Sequence, residues 1–125
     1  MTAVVDTSVL IDFLRGDARA GELLRCEAGR ARLHASEIVR LEVLAGMRQS
    51  EAAATAAVLD TLIWHPVDRA IAEAAAELGR TWLPSHRGID GADLAIAATT
   101  MHLSARLLTL NVRHFPMFRA LEPAY

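Results

Sequence analysis

The feature that most constrains the fold of this sequence is the alternation of short apolar runs with longer segments of helical pattern. The apolar runs are too short for helices and are typical of buried strands. Strands that alternate with helices predict a parallel sheet, here in a three-layer α/β/α domain. We predict strands at 3–5, 32–34, 63–67 and 107–110, helices at 9–14, 18–27, 37–47, 51–62, 69–82 and 91–104, and a last turn or helix at 111–115.

Composition narrows the class of protein. The 125 residues are 53% hydrophobic and 22% charged, which predicts one folded domain over 1–125 and excludes disorder. The single cysteine excludes a disulfide framework. The first residues do not resemble a signal peptide and no apolar run is long enough to span a membrane, so we expect a cytoplasmic protein without membrane contact.

The type of basic residue excludes two kinds of chemistry. All 13 of them are arginine, which excludes Schiff-base chemistry and the lysine-containing P-loop. The formal net charge of −2 argues against general coating of nucleic acid but leaves room for a local groove lined by arginine.

Three carboxylates stand where apolar residues are expected. Asp6 ends the first strand, and the carboxyl edge of a parallel sheet is where ligands bind. Capping of the next helix explains Asp6 equally well, with Thr7 or Ser8 as further capping residues.

Glu42 falls within a predicted apolar face of Ile38, Leu41 and Ala45. Contact with solvent, or pairing with Arg40, is the alternative for Glu42.

Asp93 lies on a helix that is apolar on nearly every side, together with Ile96, Ala97 and Thr100. Such a helix is expected to be buried between layers. Alternatively, Asp90 and Asp93 form a capping pair at the start of this helix.

Carboxylates from three separate elements can meet at one sheet edge, where their charges require a cation. Oxygen ligands favour Mg²⁺ or Mn²⁺ over zinc, and these ions support phosphodiester hydrolysis by activated water. The five histidines show no spacing typical of a ligand set. The residues therefore favour metal-dependent cleavage of a phosphodiester.

At these positions the sequence resembles the PIN-domain family, and within it the VapC-type toxins. The segment VVDTSVLIDFLRG is similar to the first family motif, SEIVRLEVLAG to the second, and DLAIAATTMHLSARLLTLNVRHF to the third and fourth. The resemblance covers essentially the whole chain, with the motifs in family order.

The resemblance implies a metal-dependent endoribonuclease. Asp6, Glu42 and Asp93 would hold one or two Mg²⁺ or Mn²⁺ ions, while Ser8 and Thr7 would orient Asp6 or a water on the metal. In the fourth motif Asn111 stands at a position typical of Asp or Asn, His114 stands where many relatives carry an acidic residue, and Asp90 is a further candidate there.

The family also implies partners: an RNA substrate, a cognate antitoxin, a homodimer and a toxin–antitoxin hetero-oligomer. We place RNA contacts at Arg15, Arg87 and Arg113, from their expected loop positions.

One alternative function is that of another Mg²⁺-dependent phosphoryl-transfer protein, which typically needs a lysine that this chain lacks. The second alternative is a catalytically inactive PIN domain that only binds protein or RNA.

Overall fold

The computed structural model describes all residues from Met1 to Tyr125. Four short strands alternate with six helices, as the sequence predicts. The elements are β1 (Ala3–Val5), α1 (Thr7–Leu14), α2 (Ala18–Ala28), β2 (His34–Ser36), α3 (Glu37–Ala45), α4 (Ala52–Leu59), β3 (Ile63–His65), α5 (Arg69–Trp82), α6 (Gly91–His102) and β4 (Arg106–Leu108), with 3₁₀ turns at Gln49–Glu51 and Val112–His114.

The four strands form one parallel sheet in the order β3-β2-β1-β4. Val4 lies opposite His34 on one side and Leu107 on the other, so β1 occupies the interior of the sheet. β3 is an edge strand, as Pro66 predicts. Because all strands run the same way, their carboxyl ends share one edge of the sheet. The predicted three-layer α/β/α architecture is confirmed.

The main core is built on β1 and on the helices that cover the sheet. Val4, Val5, Val9, Val39 and Ile96 are completely buried within it. A smaller apolar cluster fills the space between α5 and α6. Every residue from 93 to 100 is buried, which confirms that α6 lies inside the domain. None of the helices is both long and apolar enough to cross a membrane.

Two helix starts form as the sequence predicts. The Ser36 hydroxyl accepts a hydrogen bond from the Ile38 amide at 3.2 Å, and Asp68 accepts one from the Ile71 amide at 2.9 Å. The start of α1 differs from the prediction, because Thr7 is its first helical residue and Asp6 occupies the N-cap position. Neither Thr7 nor Ser8 is therefore the N-cap of α1.

Strand β2 lies two residues later than predicted. It begins at His34, while the Arg32 side chain turns away to donate to the carbonyls of Thr61 and Leu62 at 3.4 and 3.3 Å. The pairing of His34 with Ile63 and of Ser36 with His65 fixes this register. The register brings Ser36 to the carboxyl edge, where it starts α3.

The predicted apolar face of α3 is wrong. Val39 and Val43, one turn apart, are the buried residues of this helix, whereas Leu41 is 61% exposed and Ala45 is exposed. The β-branched pair faces the core because α3 packs against α1 and α6 through that side. Glu42 adjoins this buried side and is half-buried.

Candidate active site

Asp6 lies at the carboxyl end of β1, where the strand passes into α1. Its amide donates to the Leu108 carbonyl at 2.9 Å, which extends the pairing of β1 with β4 to the sheet edge. The side chain is only 3% exposed. Its Oδ2 accepts hydrogen bonds from the Ser8 hydroxyl at 2.9 Å and the Thr109 hydroxyl at 2.7 Å. No protein group donates to Oδ1, so one carboxylate oxygen is held and the other is available.

Thr109 is a site residue that the sequence analysis missed. The predicted strand ran to residue 110 and placed Thr109 inside it, but β4 ends at Leu108. Thr109 therefore follows its strand at the same edge as Asp6. Its side chain is fully buried, and its hydroxyl also accepts from the Asn111 amide at 3.0 Å. A polar residue directly after the buried Leu107 and Leu108 was the available signal.

Glu42 comes to this edge from α3. Its Oε1 accepts a hydrogen bond of 2.6 Å from the hydroxyl of Thr7, the residue that follows Asp6, and no protein group donates to Oε2. The alternative in which Arg40 neutralises Glu42 is wrong. The Arg40 guanidinium pairs with Glu37 at 2.6 Å and lies 4.0 Å from the centre of the Trp64 ring.

Asp93 lies in the first turn of α6, and the capping pair with Asp90 is present. Asp90 accepts from the Asp93 amide at 2.9 Å, and Oδ2 of Asp93 accepts from the Asp90 amide at 3.1 Å. The His114 Nδ1 lies 3.0 Å from the same Oδ2. Burial raises the pKa of Asp93 to about 6; the neighbouring Asp90 charge adds to the rise, while the Asp90 amide and His114 oppose it.

The three carboxylates share one arrangement, in which one oxygen is fixed by the protein and the other accepts no protein hydrogen bond. Thr7 joins the segment of Asp6 to Glu42 and Thr109 joins β4 to β1, whereas the contacts of Asp93 are with Asp90 and His114. No three His, Cys, Asp or Glu side chains lie together as a group that could hold a metal ion. Such an open set suits Mg²⁺, which usually keeps several waters and takes only one or two carboxylates directly.

The remaining predicted site residues lie around the fourth motif. Asn111 is exposed beside Thr109, and its side chain makes no hydrogen bond within the protein. His114 contacts Asp93 and is half-buried. The Asp90 carboxylate is occupied in capping α6. Asn111 and His114 therefore lie next to the acidic residues, whereas Asp90 holds Asp93 in place through the capping hydrogen bonds.

The three predicted RNA-binding arginines differ in their surroundings. Arg15 lies at the opposite end of α1 from Asp6, about 12 Å along the helix axis, and pairs with Glu51 at 3.0 Å. Arg87 lies in the segment between α5 and α6, and Arg113 directly precedes His114. Both are exposed and neither forms an ion pair. Of the three, Arg113 is adjacent in sequence to a residue that contacts the acids.

Several known proteins are similar to this chain in sequence. Residues 3–119 match the family model of the PIN domain. The chain is 46% identical over 123 residues to Ribonuclease VapC19 of Mycobacterium tuberculosis, covering 98% of both chains. It is 35% identical over 122 residues to Ribonuclease VapC10 of the same organism, covering 98% of this chain and 92% of the relative.

Solved structures resemble the fold over nearly its whole length. A toxin–antitoxin complex from Klebsiella pneumoniae contains a chain that matches with a TM-score of 0.83 and 26% identity, over 99% of this chain and 98% of the other. A chain of VapBC2 from Rickettsia felis matches with a TM-score of 0.78 and 22% identity, over 97% and 96%. The family model spans most of the sequence and a relative 46% identical covers 98% of it, so this chain belongs to the PIN-domain family.

Proposed function

We propose that this chain is a divalent-metal-dependent endoribonuclease and the toxin of a toxin–antitoxin pair, with residues 1–125 acting as one domain. The observation that carries the proposal is that Asp6, Glu42 and Asp93 each keep one carboxylate oxygen free for a ligand, with Thr7 linking the segment of Asp6 to Glu42. The names of the relatives, ribonucleases of the VapC type, support the same activity. We also propose that it acts on RNA in the cytoplasm.

The donor set fits Mg²⁺ or Mn²⁺. Asp6 and Asp93 are buried carboxylates without an arginine partner, and burial together with the neighbouring Asp90 charge raises the pKa of Asp93. A divalent cation would stabilise their charged forms, and the oxygen donors match the preference of these ions. When bound, such an ion supplies Lewis-acid chemistry, lowering the pKa of a water and stabilising negative charge at phosphorus.

The chain's own residues hold the carboxylates in place. Ser8 and Thr109 fix one oxygen of Asp6 and direct the other into the site. Thr7 does the same for Glu42, and the Asp90 amide does so for Asp93. Hydrogen bonds of this kind orient ligands and raise metal affinity or activity by about 10–100-fold. Thr7 and Ser8 thus act on different acids, although they are adjacent in sequence.

Asn111 and His114 are proposed to complete the metal-facing side of the site, beside Thr109 and Asp93. Arg113, next to His114, is the arginine best placed for an RNA phosphate, while Arg87 and Arg15 are more distant candidates. Removal of a phosphate contact should weaken RNA binding about equally for all sequences and reduce its salt dependence.

The exposed side of α3 is the surface that we propose the cognate antitoxin covers. Leu41 and Leu44 are 61% and 45% exposed on the same helix as Glu42, so a protein seated on them would lie close to that acid. The solved structures similar to this chain include toxin–antitoxin complexes. Leu41→Ser with Leu44→Ser should weaken inhibition of cleavage by the antitoxin, whereas Leu83→Ser, at an exposed leucine elsewhere, should not. Homodimer formation is a separate prediction, tested by sedimentation of the antitoxin-free chain.

The experiment that tests the function is cleavage of total cellular RNA by the purified protein in Mg²⁺, Mn²⁺ or EDTA, with mapping of the new ends. Asp93→Asn is the inactive variant. Asp68→Asn makes the same chemical change at the start of α5, away from the site. Discrete metal-dependent cuts that are lost only in Asp93→Asn support the proposal. RNA binding without cleavage in either metal, by folded protein, would favour the inactive binding module instead.

A further inference from the structure

A second charged region lies at the amino ends of the strands, opposite the acidic residues. Arg30, Arg32 and Arg106 line a cavity of about 130 Å³ together with Glu27; we call these four residues and the space between them the basic cavity. Arg106 begins β4 and Arg32 lies just before β2. A three-residue strand spans about 10 Å, so the basic cavity and the candidate active site are separate places.

The basic cavity carries more positive charge than the protein neutralises. Glu27 is 7% exposed and is its only acidic residue. Arg106 Nη2 lies 2.6 Å from one Glu27 oxygen, and Arg30 Nη1 lies 3.7 Å from the other. The carboxyl end of α2 adds about half a negative charge, and that of α4 about the same. Three guanidinium groups still exceed these charges by about one unit, so the cavity favours an added anion.

Most of the guanidinium donors are also unused. Each arginine has five N–H donors. Arg106 donates one hydrogen bond, to Glu27, and Arg32 donates two, to the carbonyls of Thr61 and Leu62. Arg30 donates none, since its contact with Glu27 is an ion pair at 3.7 Å. Glu27 holds Arg106 in position and leaves its other donors free.

The volume and the free N–H donors of the basic cavity indicate the class of ligand that it suits. A volume of about 130 Å³ leaves room for a small tetrahedral oxyanion beside the guanidinium groups. Guanidinium groups bind phosphate oxygens through paired N–H donors, and several such groups around one cavity suit a group with several oxygens.

We propose that the basic cavity binds a phosphate group, which either belongs to an RNA chain or is free phosphate. The site is distinct from the acidic residues, and its existence does not depend on the proposed ribonuclease activity. Glu27 and Arg106 form its fixed part, while Arg30 and Arg32 contribute positive charge that no carboxylate pairs with closely.

The direct test is titration of the metal-free protein with inorganic phosphate, followed by NMR of the arginine Nε–H groups. Sodium chloride at equal ionic strength is the reference. We expect saturable shifts of the Arg30, Arg32 and Arg106 signals. The variant Arg30→Gln with Arg32→Gln keeps the pair of Glu27 with Arg106 and should bind phosphate at least about fivefold more weakly.

Arg69→Gln with Arg80→Gln is the matched control, because both arginines are exposed on α5 and form no ion pair. It makes the same change in charge and should leave phosphate binding unchanged. If the double variant is poorly folded, Arg30→Gln alone serves, since the Arg30 side chain is 71% exposed. An absence of saturable shifts in the native protein, or equal weakening in the control, would overturn the proposal.

Binding of a single-stranded RNA in EDTA distinguishes the two sources of phosphate. If the group belongs to RNA, the Arg30 and Arg32 variant binds RNA more weakly and its salt slope falls by about 0.7. If the ligand is free phosphate, RNA binding is unchanged while phosphate binding is lost; both results support the site. Because cleavage is not measured, failure here is distinguishable from failure of the proposed ribonuclease function.

Discussion

Replacing Asp93 by asparagine should stabilise the metal-free protein, although Asp93 is a proposed metal ligand. Burial raises the pKa of this carboxyl from 3.8 to about 6, so at neutral pH the folded chain holds a charge that its surroundings disfavour. A rise of that size corresponds to about 3 kcal/mol. Solvent at the edge of the site screens the charge, and we expect about 1–2 kcal/mol. Asparagine retains an oxygen that can accept from the Asp90 amide.

The effect should depend on pH in a defined direction. The pKa of Asp93 is higher in the folded protein than in the unfolded chain, so the folded protein binds more protons between about pH 4 and pH 6. This group therefore adds stability as the pH falls through that range. The advantage of Asp93→Asn should be full above about pH 6 and vanish below about pH 4.

Urea unfolding in EDTA measures the difference. Asp68→Asn is the control, since Asp68 caps α5 and asparagine is an equally good N-cap; its free energy of unfolding should change by only a few tenths of a kcal/mol. Addition of Mn²⁺ should stabilise the native protein and leave Asp93→Asn nearly unchanged. If Asp93→Asn were less stable than the native protein in EDTA at neutral pH, the charge of Asp93 would not be a cost to the fold.

Three further predictions follow from single contacts. Thr109→Val removes the hydroxyl that holds Asp6 and should lower RNA cleavage about 10–100-fold in a protein that still folds; unchanged kinetics would contradict this. Thr55→Val is its isosteric control and should raise the free energy of unfolding by about 1 kcal/mol, because the Thr55 hydroxyl is buried without a partner. The pKa of His65 is lowered by burial and by the charges of His34 and His102, so stability should fall as the pH drops below 6.5. Thermal unfolding of His65→Gln should show a weaker loss at acidic pH, and an unchanged pH profile would argue against this origin.

The elements with strong local signals were predictable from the sequence. Strand β1 is a short apolar run that ends at Asp6, and it forms as predicted. Helix α5 has a capping aspartate followed by apolar residues at helical spacing, and both its start and its buried face agree. The burial of Asp93 followed from the apolar surroundings of α6. In each case the sequence signal lies within a single strand or helix.

The features that the sequence did not predict depend on contacts between distant segments. Thr109 reaches Asp6 across the β1–β4 pairing, 103 residues away along the chain. His34 Nδ1 and His65 Nε2 lie 2.8 Å apart only because β2 and β3 pair in their observed register. Leu41 is exposed because packing of α3 selects its valines, which helical periodicity alone does not determine. The features that were missed or predicted wrongly therefore depend on the pairing of strands and on which face of a helix packs against the core.

The central claim is that water attacks the RNA phosphodiester at a metal site formed by the acidic residues. The most direct test is cleavage in ¹⁸O-labelled water, with mass analysis of the new RNA ends. The product phosphate should contain one ¹⁸O, and it should form in Mg²⁺ or Mn²⁺ but not in EDTA. An RNA with a 2′-deoxy sugar at the cut should also be cleaved. A 2′,3′-cyclic phosphate, or cleavage that continues in EDTA, would rule out attack by water at a metal site.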